Sequence, residues 1–199
     1  MNSRFLMLGA VAFVVTPVAV HAQATDPAAR IAAYDQAVLG IMKGHLGLAA
    51  RTGAFESVVR GYYDMPAITA LAVGPKWASA SAADKAAAIA ALTRHSALAL
   101  ARNFASFGGE RFTVDPNVVT RDTSRMVRVT IASPGSSDTL IYRLRQSGGD
   151  WKIIDVISGG ISQLAVQRAD FSATVAAGGV AGLTRHLAQI DALPGGGQR

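Results

Sequence analysis

Residues 104–116, FASFGGERFTVDP, divide the chain. Upstream lie long alanine-rich segments whose apolar residues recur at helical spacing. Downstream come short runs rich in Val, Ile and Thr, after which helical spacing returns. The order is four or five helices, about four antiparallel strands, then two helices. Blocks of helices and strands that do not alternate predict an α+β fold.

The helical half carries its own start and stop signals. Asp26 and Pro27 sit where an N-cap and a first helical residue belong. Ile31, Tyr34, Val38, Ile41, Met42 and Leu46 then form one stripe. Residues 53–74 read as two short helices, the first running through Phe55 and Val59. The second is capped by Asp64, has Ile68 and Leu71 facing inward, and is stopped by Gly74-Pro75. Ser81 with Asp84 approximates a capping box for the longest helix, which is expected to reach about Phe107 before Gly108-Gly109 ends it. Its expected inner side carries Ile89, Leu92, Ser96, Leu100, Asn103 and Phe107, and a kink is expected near Thr93–Ser96.

The strands are expected at ERFTVDP, SRMVRVTIAS and the two arms of SDTLIYRLRQSGGDWKIIDVI, with Ser147–Asp150 as the hairpin turn. Val127, Val129 and Ile131 share one face, as do Leu140, Tyr142 and Leu144. In the last arm Trp151, Ile153, Asp155 and Ile157 alternate with Lys152, Ile154 and Val156. Ile154 and Val156 would be wasted on a solvated face, so part of the second face must be covered. A helix from about Ile161 carries Leu164, Ala165, Arg168, Phe171 and Val175, breaks at Gly178-Gly179, and resumes with Leu183, Leu187 and Ile190.

No catalytic signature appears. His45, His95 and His186 sit singly on separate predicted elements, without the paired spacing of a metal site. There is no GxSxG elbow, and the glycine pairs read as helix ends and turns. Asp155, mid-strand among apolar residues, has two readings. It is a structural acid paired with Arg143, Arg145 or Arg168, or the general base of a cone-shaped α+β enzyme acting on an apolar small molecule. Tyr62, Tyr63 and Trp77 read as the rim of an opening or as core aromatics.

Residues 1–24, MNSRFLMLGAVAFVVTPVAVHAQA, have a charged start at Arg4, an apolar stretch and small residues at signal-peptidase spacing. The expectation is a signal peptide over 1–22, cleaved near Ala22 or Ala24, then one domain over 25–193 and a flexible tail over 194–199. The apolar run is too short for a spanning helix and contains Pro17. Losing residues 1–22 removes Arg4 and takes the formal charge from +6 to +5. That suits acidic partners or anionic surfaces, with Arg51, Arg60, Lys76, Lys85 and Arg111 as candidate guides. The basic residues are scattered and carry no nucleic-acid motif. The chain has no Cys, which excludes disulfides and thiolate chemistry.

VVRGYYDMPAITALAVGPKW and YRLRQSGGDWKIIDVISGGISQLAVQRADFSATVAAGGVAGLTRHL resemble the MlaC/Ttg2D family of toluene-tolerance auxiliary proteins, which are periplasmic lipid-binding proteins. The family's Tyr-Arg-Leu strand falls on Tyr142, Arg143 and Leu144, and its Trp-Lys and apolar-Asp-Val on Trp151, Lys152, Asp155 and Val156. Its turn into the helix falls on Gly160, Ile161 and Ser162, and its Arg-x-x-Phe on Arg168 and Phe171. GGISQLAVQRADF departs from the usual motif toward the hopanoid-associated HpnM branch, and VGPKW replaces the familiar LGRYW. The resemblance implies a small curved antiparallel sheet under a helical layer, with an apolar pocket between them. It implies no catalysis and no cofactor or metal. The implied function is a periplasmic carrier that shuttles a hopanoid or phospholipid between membrane components. Its implied partners are the lipid, an inner-membrane ABC transporter complex or other envelope lipid-transfer component, and transiently the membrane surface. Val127, Val129, Ile131, Leu140, Tyr142, Leu144 and Ile153 are expected on one lipid-binding wall, with Leu92, Leu100 and Phe104 opposite. A structural or adaptor protein of the cell envelope is the other alternative, and it would show an exposed apolar patch.

Overall fold

A computed structural model of the chain describes residues 26–193. The expected signal peptide over 1–22 and the tail over 194–199 lie outside the described residues. Helices α1 (Pro27–Lys43), α2 (Leu48–Tyr62), α3 (Met65–Val73), α4 (Lys76–Ser79) and α5 (Ala82–Asn103) come first. Strands β1 (Arg111–Val114), β2 (Val119–Arg121), β3 (Ser124–Ser133), β4 (Ser136–Ser147), β5 (Asp150–Ser158) and β6 (Ile161–Ser162) follow, and α6 (Gln163–Asp191) closes the described chain.

Most of the helices begin where a short polar side chain can take a free backbone N–H. Asp26 accepts from the Ala29 N–H at 3.3 Å, Asp64 from Ala67 at 3.1 Å, Ser81 from Asp84 at 3.0 Å and Ser162 from Ala165 at 3.0 Å. Each such cap is worth about 1 kcal/mol. The α1 stripe ends at Met42, because the helix stops at Lys43 and leaves Leu46 in an exposed loop. On α5 the buried side is Ala88, Leu92, Thr93, Ala97 and Ala101, so alanines take positions expected for larger residues. Short side chains let α5 lie close to both α2 and α6, which flank it. No kink interrupts α5, and Phe107 falls beyond its end and is exposed. Leu71, expected to face inward, also lies exposed on α3. The expected break at Gly178-Gly179 is a kink within α6, where Gly179 takes φ 62° and ψ −158°. That conformation strains any residue with a Cβ.

The α+β class holds, but the expected small curved sheet of about four strands is corrected. The sheet has six strands, ordered β1-β3-β4-β5-β6, with β2 paired beside β1 on β3. All the strand pairs are antiparallel, and the path is open, running from one edge to the other. The expected strands are β1, β3, β4 and β5, and the additions β2 and β6 are 3 and 2 residues long. Strands this short are defined by the partner they pair with rather than by their own hydrophobic pattern.

The hairpin turn is where the sequence places it, with Gly148 and Gly149 at φ 61° and 88°. Strict alternation along β5 fails. Arg143 pairs with Asp155 but Leu144 pairs with Ile153, so Ile154 is an extra residue, a β-bulge. Ile153 and Val156 therefore share the face of Tyr142 and Leu144, while Asp155 turns to the opposite face beside Arg143. The helices cover the face carrying Val127, Val129, Tyr142, Leu144 and Ile153, and this layer holds the main core.

Candidate functional site

The residues expected on the lipid's walls come together. Leu92, Val127, Val129, Tyr142, Leu144 and Ile153 are buried in one apolar cluster, and Leu100, Phe104, Ile131 and Leu140 pack against it half-buried. The Phe104 ring lies 6.2 Å from both Phe55 and Phe112, linking α2 to β1. Between helices and sheet these side chains pack as one apolar layer. The two concavities described open elsewhere.

One concavity is a groove of about 570 Å³ between α3–α4 and the first half of α6. Its floor includes Ala72, Val73 and Val175, which are also core residues, and Lys76 and Arg168 stand on its sides. Here the apolar layer comes to the surface next to two cations. The other is polar and lies at the end of the sheet, where the Arg125 guanidinium sits 5.2 Å from the centre of the Trp151 ring.

A cluster of tyrosines occupies the interior beside α1. The Tyr34 ring meets those of Tyr62, Tyr63 and Tyr142 edge-on, with centroids 5.6, 5.7 and 5.6 Å away. The Tyr34 and Tyr63 hydroxyls share a hydrogen bond of 3.0 Å. Burial holds the Tyr63 phenol up at about 12, and pushes Tyr34 and Tyr142 well above the ordinary range. All three stay neutral donors at physiological pH. Next to Tyr34, Asp35 is only 2% exposed, and neither of its carboxylate oxygens has a hydrogen-bond partner among the described residues. Burial raises its pKa to about 7. Sequence reasoning read the α1 stripe without Asp35, because a charged residue at a helical apolar position looks like a boundary residue.

The corner between α2 and α3 is tied to the sheet. The Asp64 N–H donates to the Ile153 carbonyl at 2.9 Å, beside the bulge. The Arg30 guanidinium donates to the Gly61 carbonyl at 2.6 Å, and Lys152 reaches the same carbonyl. Arg145, one of the candidate partners of Asp155, pairs instead with Asp64 at 2.8 Å. Burial pushes Asp64 up, but the Ala67 N–H, the Ser147 hydroxyl and Arg145 hold it below the ordinary carboxylate range.

Asp155 is positioned as a structural acid. It accepts from the Ser162 hydroxyl at 2.7 Å and from the Leu164 N–H at 3.0 Å, so it organises the first turn of α6. Arg143 approaches it at 3.7 Å, while Arg168 faces the groove. His95 is paired with Asp191 at 2.6 Å. No group of acidic and histidine side chains that could hold a metal occurs among the described residues. No described helix is long and apolar enough to cross a membrane.

The candidate guide charges divide. Arg51 donates to the backbone carbonyls of Ala101 and Leu46, and Arg60 pairs with Glu56. Lys85 lies near the half-buried Trp77 ring on α4. Lys76 remains on the groove.

A family model described as MlaC protein matches residues 33–189. Among curated proteins there is no match. Among solved structures, a phospholipid-binding protein from Ralstonia solanacearum, held in complex with a phospholipid, aligns with a TM-score of 0.68 at 23% identity. The alignment covers 84% of this chain and 98% of that one, and at such identity the likeness is one of fold.

Proposed function

This chain belongs to the MlaC protein family, and on that premise we propose that it carries a membrane lipid, hopanoid or phospholipid, between membrane components in concert with a transporter. It is a periplasmic lipid-binding protein and not an enzyme. The observation that carries the reading is the continuous apolar layer between helices and sheet, in a fold shared with a protein that holds a phospholipid. The lipid's chains take their place among Leu92, Leu100, Phe104, Val127, Val129, Ile131, Leu140, Tyr142, Leu144 and Ile153. The groove between α3–α4 and α6, where that layer reaches the surface, is their way in.

Burying a CH₂ group is worth about 0.8 kcal/mol, so two acyl chains of about sixteen carbons gain on the order of 25 kcal/mol on leaving water. A bilayer offers the same gain. A carrier therefore needs a dry seat of comparable depth, not higher affinity than the membrane. Docking onto an inner-membrane transporter complex or another envelope component completes the cycle. The net positive charge suits an acidic partner or an anionic leaflet.

Protein purified without detergent should release lipid on organic extraction, and native mass spectrometry should show the bound species. Val129→Trp or Leu144→Trp should cut lipid recovery sharply with an unchanged circular dichroism spectrum. Unfolding of both variants would instead mark a filled core, where overpacking costs about 1–3 kcal/mol. Processing is tested separately: the intact mass of the exported protein should place its amino terminus near Gln23 or Thr25. A species that keeps Met1 and stays in the inner membrane would show an anchor instead.

A further inference from the structure

Asp35 is the only carboxylate among the described residues with both oxygens buried and unpartnered. A buried carboxylate without partners is costly, and native proteins keep few such groups. It lies on the face of α1 that carries Ile31, Tyr34, Val38 and Met42 into the core. That helix packs on α2, β1 and β3, and β3 carries Val127, Val129 and Ile131. The orphaned acid thus belongs to the same apolar layer as the proposed lipid seat.

No donor of the protein reaches the Asp35 carboxylate among the described residues. The Tyr34 and Tyr63 hydroxyls bond to each other. Arg30, on the same helix, is turned to the carbonyls of Gly61 and Trp151. A carboxylate accepts hydrogen bonds and cannot satisfy itself. Whatever pairs with it has to bring an O–H or N–H into an apolar layer.

We infer that Asp35 is the interior anchor for a lipid bearing a hydroxyl or amine, its carboxyl accepting the hydrogen bond that the lipid donates. The inference rests on the carrier reading above and specifies its ligand. The edge-on tyrosine rings beside Asp35 give such a ligand an apolar surround with polar tips. Burial holds Asp35 near pH 7, so both of its forms are within reach at neutral pH. A lipid hydroxyl, which both donates and accepts, matches either form, and an ammonium matches the ionised one.

The test uses the mature chain, delipidated, with three probes that share one chain and differ at its end: oleyl alcohol, oleylamine and methyl oleate. The wild type should bind at least one of the two donors about tenfold more tightly than methyl oleate, as expected for a hydrogen bond to a buried charged acceptor. The order of alcohol and amine then tells a hydroxyl ligand from a cationic one. Asp35→Leu should erase the preference while methyl oleate still binds. Asp35→Asn, which retains a neutral acceptor, should narrow it to a few-fold. Equal binding of the three probes by the wild type, or a preference that survives in Asp35→Leu, overturns the anchor and leaves the carrier reading standing. Binding of none of them, with no co-purifying lipid, overturns both.

Discussion

Asp35→Leu should make the lipid-free protein more stable, and the gain should grow with pH. In the fold the carboxyl titrates at about 7, against an ordinary value of 3.8. The native state therefore holds a proton that the unfolded chain gives up over that interval. Whatever stability the protonated acid allows is fully present below about pH 4, declines as pH rises, and is gone above about pH 7. The interval corresponds to about 4 kcal/mol at most. Leucine has no such titration, so the difference between variant and wild type isolates this group from every other acid. At about pH 8 the variant's melting temperature should be higher by roughly 10 °C, at 2–4 °C per kcal/mol for a domain of this size. Near pH 4 the two should differ much less. A difference independent of pH would mean that Asp35 ionises inside the fold without penalty.

Asp155→Ala should have a comparably large effect in the opposite direction. Its carboxylate receives the Ser162 hydroxyl and the Leu164 N–H, and stands near Arg143. Hydrogen bonds to a charged group are worth about 1.5–3 kcal/mol each. Arg143 is partly open to solvent and can be rehydrated, so the loss should be near 3 kcal/mol rather than the full cost of a broken buried pair. Chemical denaturation should show a lower midpoint at unchanged slope, with Asp155→Asn in between. An alanine variant of wild-type stability would return Asp155 to the role of a proton-transfer group.

These two acids also show what the sequence made legible. Asp155 was readable as a structural acid because it interrupts a strand of apolar residues beside arginines. Its true setting was not readable, since the bulge at Ile154 depends on pairing with β4 and leaves no mark in the alternation of β5. The caps at Asp26, Asp64 and Ser81, the Ser147–Asp150 turn and the bounds of β3 follow from local chemistry and were legible. The strands β2 and β6 owe their state to neighbours, and the sheet was undercounted for that reason. The residues proposed to meet the lipid were found by alternation and helical spacing, and they do converge. Asp35 and the tyrosine cluster were missed, because only the packed tertiary structure brings Tyr34, Tyr63 and Tyr142 together.

The last helix has a consequence for the order of events in the life of the chain. Leu183 and Leu187, fully buried, lie beyond the Gly179 kink, and α6 packs on both α5 and α3. The clasp between His95 and Asp191 joins the middle of α5 to the helix's final residue. One flank of α5 is made long before the α6 residues that cover it. A chain leaving the ribosome amino terminus first has no finished core to close until its carboxy-terminal stretch has emerged. On this geometry the α5–α6 seam is the last part of the fold to close.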